Sequence, residues 1–248
     1  MARLEKGAMS SSSTSVPPSA TPVNQRKLCS MMIGITLLLC WVVAPFVAAG
    51  TLRWGAGWLY IIVVAVGLII HRVYVVRRNP ELLARRREMG QGTKTWDKLW
   101  NAVFWPLMLA IPVVAGADVV RLHGSRMPPG LFAVGIALYG LGMAMSAWAM
   151  GANPFFEGTV RIQSDRRHRV VDVGPYRYVR HPGYVGLILW ALGTPFLLGS
   201  WWALVPAGVT AAWVAIRTSL EDRTLRWELA GYEEYVRRVR CRLVPGLW

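Results

Sequence analysis

Residues Gly174 to Gly186, GPYRYVRHPGYVG, set arginines, tyrosines, a His-Pro step and glycines directly before an apolar run. Proline at 182 biases His181 away from helical dihedrals and suits a first helical position, so a helix is predicted to start at Pro182. Its first N–H groups, at the positive end of the helix dipole, would favour an anion. Gly183 and Gly186 would let a ligand approach the backbone. Arg180, His181, Tyr176, Tyr178 and Tyr184 add donors and aromatic faces. Together these types suit a polar small molecule with an anionic end, bound at a membrane surface. An interfacial belt of Tyr and Arg accounts for the tyrosines and arginines, but not for the glycines or the His-Pro step.

A second group follows the last apolar run. Glu221 and Asp222 fall within about one turn of the bilayer, where an unpaired acid is costly. Positions 221, 225, 228 and 232 share a helix face unless Gly231 ends the helix first. A short helix predicted over 232–240 puts Tyr232, Tyr235, Arg238 and Val239 on one stripe. The plain alternative is a solvated amphipathic tail with charge pairs. The loop from Glu157 to Tyr178 carries Arg161, Gln163, Asp165, Arg166, Arg167, His168 and Arg169. Val160, Ile162, Val170, Val171 and Val173 among them predict a short, partly paired extended segment against the membrane face. The three cysteines, Cys29, Cys40 and Cys241, have neither metal-ligand spacing nor a disulfide framework.

The elements that must position these residues are apolar helices. The chain has 248 residues, 54% hydrophobic and only 17% charged, well below the soluble average of about 25%, and its mean hydropathy is +0.36. Runs approaching the roughly 20 residues that cross a bilayer are Met31 to Ala49, Gly57 to Val76, Leu99 to Ala115, Gly130 to Met150, Tyr184 to Leu198 and Trp201 to Ile216. The expected fold is an all-α integral membrane protein of about six transmembrane helices (five to six), the last two a hairpin, with a cytoplasmic C-terminal helical cap. Pro106 and Pro112 in the third run and the shortness of the fifth leave the count open.

The net charge of +15 would fit nucleic acid, but its distribution does not. Of the 28 Lys and Arg, all but Arg53, Arg121 and Arg126 fall on one side of this topology. The positive-inside rule makes that side cytoplasmic, with both termini and the polar site on it. Clusters such as Arg85-Arg86-Arg87 are expected to meet anionic lipid headgroups. Residues 1–27 have the Ser/Pro composition of a disordered tail. The run from Met31 is too long and starts too late for a cleavable signal peptide. The first two runs carry no ionisable residue before His71-Arg72, so 28–128 is expected to be scaffold and 129–248 the functional core. In the fourth run, Gly140-Leu141-Gly142 with Ala144, Ser146, Ala147 and Ala149 makes a small-residue face, for close helix packing or for a ligand groove.

The ordered set RHPGYVG, the acidic pair in LEDRTL, and AGYEEYVRRVRCRLVPGLW resembles the isoprenylcysteine carboxyl methyltransferase family, close to its bacterial members, over roughly Gly140 to Trp248. The resemblance implies methyl transfer from S-adenosyl-L-methionine, with cofactor entering from the cytoplasm and a lipophilic or prenylated acceptor from the bilayer of a bacterial inner membrane. It implies cofactor contacts by His181, Pro182, Tyr184, Gly186, Glu221 and Asp222, to which the polar loop adds Gln163 and Tyr178. It also implies reaction-centre roles for Tyr235 and Arg238, beside Arg180. Asp222 stands where the family more often has a second glutamate and is one methylene shorter.

The residues fit that chemistry on their own terms. The cofactor's sulfonium, ammonium, carboxylate and adenine need acids, a cation or helix start, and aromatic walls. A carboxylate acceptor is ionised near pH 7 and needs a cation such as Arg238 or Arg180, whose planar fork pairs it bidentately. An amine acceptor would need a base. The runner-up implied by the resemblance is N-methylation of a phospholipid headgroup such as phosphatidylethanolamine, since those enzymes share a Gly-x-Gly, a related cofactor site and an acidic pair. An NADPH-dependent sterol reductase shares an RHPxYxG-like segment, but usually has Asn where Gly183 stands. A non-catalytic scaffold or transporter subunit is the remaining class, and transport would favour ionisable residues inside the runs.

Overall fold

The computed structural model describes residues 32, 36, 39–85, 94–246 and 248. The N-terminal tail, Cys29, most of the start of the first apolar run, and Arg86 and Arg87 lie outside the described residues. Trp41–Trp248 form one compact unit. It is built on helices α1 (Leu39–Ala49), α2 (Gly55–Arg78), α3 (Pro80–Arg85), α4 (Thr95–Gly116, extended by a π turn at Ala117–Arg121), α5 (Leu131–Ala152), α6 (Pro182–Leu198), α7 (Leu204–Glu228) and α8 (Tyr232–Arg238). This is a helical membrane protein. Gly55–Arg78, Thr95–Arg121 and Leu131–Ala152 are long and apolar enough to cross a membrane, and Leu39–Ala49 and Pro182–Leu198 are shorter apolar helices.

Local chemistry sets the helix ends. Pro80 pushes Asn79 out of the helical region, and α2 stops there. Asn79 Nδ2 then donates to the carbonyls of Met150 and Asn153, at 3.1 Å each, tying α2 to the end of α5. Pro106 and Pro112 sit inside α4 without ending it, as apolar surroundings allow. The outer face of α2 leaves Ile62, Val66, Ile69 and Ile70 exposed, the pattern of a lipid-facing surface.

Glycine sets how closely α5 and α6 approach. A Cβ on Gly142 of α5 would lie 2.6 Å from the Gly186 carbonyl of α6, and one on Gly186 would lie 2.5 Å from the Gly142 carbonyl. Gly135 and Gly193 repeat the contact farther along, at 2.7 Å from Leu197 N and 2.8 Å from Tyr139 N. The small-residue face serves both uses open to it: Gly142 packs against α6 and, with Ser146, also lines the cavity described below, while Gly140 meets nothing within 4 Å.

At the far end of the α6–α7 hairpin, buried Asp118 accepts hydrogen bonds from the hydroxyls of Ser125 and Ser200. Ser125 Oγ in turn accepts from Trp201 N, and Ser200 Oγ from Ala203 N. The partly paired extended segment expected near 160–173 is absent: among the described residues this stretch is irregular, with 3-10 turns at Ser164–Arg166 and Gly174–Arg177. Side chains satisfy its backbone instead. Asp97 accepts from Val160 N, and Gln163 donates to the Phe155 carbonyl.

Candidate active site

α6 begins at Pro182, as the His-Pro step predicts. The residues just before it are held by the C-terminal segment, since Arg180 N donates to the Cys241 carbonyl and His181 N to the Arg242 carbonyl, both at 3.0 Å. The first-turn N–H groups of Tyr184 and Val185 return to the His181 carbonyl, and a Cβ on Gly183 would strike the Phe156 ring at 2.7 Å. The helix start is therefore less open to an anion than its sterics predict, and the missing side chains of Gly183 and Gly186 serve packing.

The acidic pair divides. Asp222 is fully buried. Arg180 donates to it through Nε at 2.8 Å and Nη2 at 3.1 Å, Tyr232 Oη at 3.1 Å and Arg242 Nε at 3.1 Å. His181 Nε2 lies at 3.3 Å and Arg226 Nε at 3.2 Å. Arg180 also spans to the carbonyls of Val239 and Arg240 at 2.8 and 2.7 Å. Burial alone would raise the Asp222 carboxyl, but the hydrogen bonds and charges of His181 and Arg180 outweigh it and hold the group well below the usual carboxylate range.

Glu221, one residue back, points into a cavity of about 380 Å³. Tyr184 Oη donates a short hydrogen bond to it, and His181 Nδ1 lies 4.0 Å from its other oxygen. His181 is thus set between the two acids and stacks on Tyr184, with centroids 5.8 Å apart. The polar end of the cavity is completed by Glu157, Arg161, Gln163, His168, Tyr176 and Tyr235. Burial pushes the His168 imidazole down despite the nearby Glu157. Burial likewise keeps the Tyr235 phenol protonated, and it donates to the Tyr176 carbonyl at 2.7 Å. The apolar end is walled by Leu68 of α2, Phe104 and Trp105 of α4, Met143 of α5, and Leu187 and Trp190 of α6.

One cation at this cavity escaped the sequence reading. Arg217 of α7 is buried, pairs with Asp97 at 2.9 Å, donates to the Gly158 carbonyl at 2.8 Å and lies 4.2 Å over the Trp100 ring. Its spacing of four residues from Glu221 puts both on one helix face, a signal the chain did carry. Arg217 and Thr159 line the cavity, and Arg217 Nε and Thr159 Oγ1 are each buried without a hydrogen-bond partner among the described residues.

Of the residues expected at the site, Arg180, His181, Tyr184, Gly186, Glu221, Gln163 and Tyr235 line the cavity together. Four do not. Tyr178 is 65% exposed, its ring turned toward Trp148. Arg238 is exposed and pairs with Asp172 at 3.0 Å, because the stripe of α8 that carries Tyr232 and Tyr235 inward turns it outward. Pro182 is buried at the helix start, and Asp222 is enclosed by its cations. Leu68, His71, Trp100 and Phe104, from the helices before α5, also line the cavity.

Fold and site together define a helical membrane protein with a cavity that is charged at one end and apolar between its helices. Residues 134–226 match the model of the isoprenylcysteine carboxyl methyltransferase family, so this part of the chain is similar to that family. It is 44% identical over 61 residues to protein-S-isoprenylcysteine O-methyltransferase of Schizosaccharomyces pombe, covering 24% of this chain and 26% of that protein. It is 34% identical over 91 residues to a probable protein-S-isoprenylcysteine O-methyltransferase of Oryza sativa subsp. indica, covering 36% and 47%. With protein-S-isoprenylcysteine O-methyltransferase B of Arabidopsis thaliana the identity is 28% over 154 residues, 60% of this chain and 78% of that one. The chain thus spans about a quarter of the yeast relative and about half of the rice one.

Proposed function

We propose that this protein transfers the methyl group of S-adenosyl-L-methionine to the carboxylate of a lipophilic, membrane-embedded acceptor of the isoprenylcysteine type. The observation that carries the reading is a cavity where a partly exposed carboxylate, Glu221, and a buried guanidinium, Arg217, meet beside an apolar arm between helices. The orphaned polar atoms of Arg217 and Thr159 fit a ligand with carboxylate and hydroxyl groups, and Glu221 fits the cationic end of the cofactor. When bound, the cofactor supplies an electrophilic methyl on a sulfonium.

The chain's own part is chiefly positioning, since bringing two reactants into line can supply much of the barrier reduction. Glu221, held by Tyr184, attracts the positive end of the donor; His181, Gln163 and Gly186 flank it. Arg217, fixed by Asp97 and Gly158, holds the acceptor carboxylate through its free Nε edge, taking the role the sequence assigns to Arg238. An ionised carboxylate needs no general base. Arg180, Asp222 and Pro182 act indirectly, by fixing the start of α6, and Tyr235 supports the loop at Tyr176. Tyr178 and Arg238 contribute at the surface.

The same reading keeps 129–248 as the catalytic core, with α2 and α4 adding the acceptor wall, and 1–27 as a tail. All six apolar helices span the membrane, with both termini, the polar end of the cavity and the α8 cap on the cytoplasmic side of a bacterial inner membrane, where the cationic clusters meet lipid headgroups. Purified protein in detergent, given labelled cofactor with N-acetyl-S-farnesylcysteine or phosphatidylethanolamine, tests it. Base-labile methyl ester on the first acceptor is expected. Stable label on the amine alone would replace the reading with N-methylation. Glu221→Gln should weaken cofactor binding, and Arg217→Ala should raise the acceptor KM while leaving cofactor affinity near that of the wild type.

A further inference from the structure

The loop at the polar end of the cavity is closed on itself by a short turn. Arg166 N and His168 N donate to the Gln163 carbonyl at 2.9 and 3.2 Å, and Arg167 N donates to the Ser164 carbonyl at 3.2 Å. A side chain closes the turn a second time, since Gln163 N donates to His168 Nδ1 at 3.4 Å. Arg167 takes a left-handed φ of 51° within it, a conformation that persists in a residue with a Cβ only where the surroundings hold it. Two further bonds carry the turn to the cavity wall: Gln163 Oε1 accepts from Arg166 Nη1 and Gln163 Nε2 donates to the Phe155 carbonyl, both at 2.8 Å. The Phe155 ring meets the His168 imidazole, with centroids 4.5 Å apart, and the Arg166 guanidinium at 5.3 Å. Phe155, Gln163 and His168 all line the cavity.

The Gln163 bond fixes the state of the imidazole. Nδ1 accepts from a backbone N–H only when it carries no proton, so the ring is neutral with its proton on Nε2, and a second proton on Nδ1 would set two donors against each other. The charged groups that face the ring are Glu157 and Arg161 from the stretch before the turn, Arg166 of the turn itself and Glu221 of α7. The two acids favour the cation, but burial is the largest influence, and the two arginines act with it to keep the ring neutral. We propose that His168 is a positioning residue that holds Gln163 and Phe155 against the cavity while neutral and releases them when protonated, so that acid loosens the polar end of the site. Linkage sets the direction. A released imidazole takes its proton at the ordinary value of about 6.5, the held one only at lower pH. The held turn is therefore favoured above about 6.5 and loses its advantage as pH falls below it, by at most about tenfold for each pH unit. This rests on the reading of the cavity as the cofactor's, and it adds a dependence on pH that transfer to an ionised carboxylate does not itself require.

Hydrogen–deuterium exchange of peptides covering 160–170, followed without cofactor at about pH 5.5 and about pH 7.5, reads the opening of the turn directly. His168→Asn is compared at each pH, because its amide oxygen keeps an acceptor near the place of Nδ1 and does not titrate. Wild-type exchange at the lower pH should exceed that of His168→Asn severalfold, and the two should be close at the higher one. His168→Phe, which keeps an aromatic ring but no acceptor, should exchange faster than His168→Asn at both. The Kd of labelled cofactor should rise more steeply on acidification in the wild type than in His168→Asn. Equal exchange in the wild type and His168→Asn at the lower pH overturns the proposal, and so does an equal pH dependence of Kd. The expected difference in exchange, with cofactor bound by neither protein, supports the role of His168 and overturns only the cofactor reading.

Discussion

Asp118 and Asp222 are both buried carboxylates at opposite ends of the α6–α7 hairpin, one met by hydroxyls and the other by cations. The far end is a local clip: Ser125 and Ser200 join two connections through hydroxyl hydrogen bonds to Asp118. The near end gathers α6, α7, α8 and the C-terminal segment on a single carboxylate. Closing a helical hairpin takes only a neutral clip. Fixing a charged site beside a cavity takes a centre whose charge balances several cations at once.

Removing the charge at the near end should have the largest effect. Asp222→Ala leaves Arg180 and Arg242 facing each other in a buried place, and breaking such a pair costs about 3–5 kcal/mol. A large fall in melting temperature in detergent and loss of cofactor binding are expected. Because the folded Asp222 carboxyl is held below its ordinary value, its stabilisation is present above the unfolded pKa of about 3.9 and is lost as pH falls through the folded value. Asp222→Asn should therefore melt with less dependence on pH at the acid end than the wild type.

Asp118→Ala should cost less, about 1–3 kcal/mol for two hydroxyls left without their acceptor, with cofactor binding retained. A loss as large as that of Asp222→Ala would erase the contrast between the ends. Gly142→Ala tests the layer between them. Its Cβ would meet backbone, so overpacking of about 1–3 kcal/mol is expected, with acceptor KM rising as α5 and α6 part. Arg238→Ala should be the mildest. Its exposed pair with Asp172 contributes about 0–1 kcal/mol, and activity should stay near that of the wild type. A large loss of turnover there would return Arg238 to the reaction centre.

Much of this was legible in the chain. The apolar runs located the helices, and proline after His181 marked the start of α6, because sterics at that step are local. The acidic pair was found, but its division was not: adjacent helical residues point about 100° apart, and which one faces the cavity depends on where α7 lies against α6. Arg238 was misplaced because a helix turns about 100° per residue, which sets it about 120° from Tyr232, off the face that the two tyrosines carry inward. Gly142 and Gly186 were visible as small residues, yet that they both pack helix on helix and line the cavity shows only once α5 and α6 are in contact. His71 and Trp190 gave no signal, because a lone histidine at a helix end and a tryptophan in an apolar run are ordinary in a membrane protein.

The hold of the C-terminal segment on the start of α6 also has a consequence in time. Arg180 and His181 are anchored by the carbonyls of Val239, Arg240, Cys241 and Arg242, which leave the ribosome some sixty residues after the motif they secure. During synthesis the hairpin can enter the bilayer first, but the charged end of the cavity stays unassembled until that segment arrives. A chain made only as far as α7 would then hold its helices in the membrane with the charged end of the cavity still open, until residues 239–242 arrive to close it.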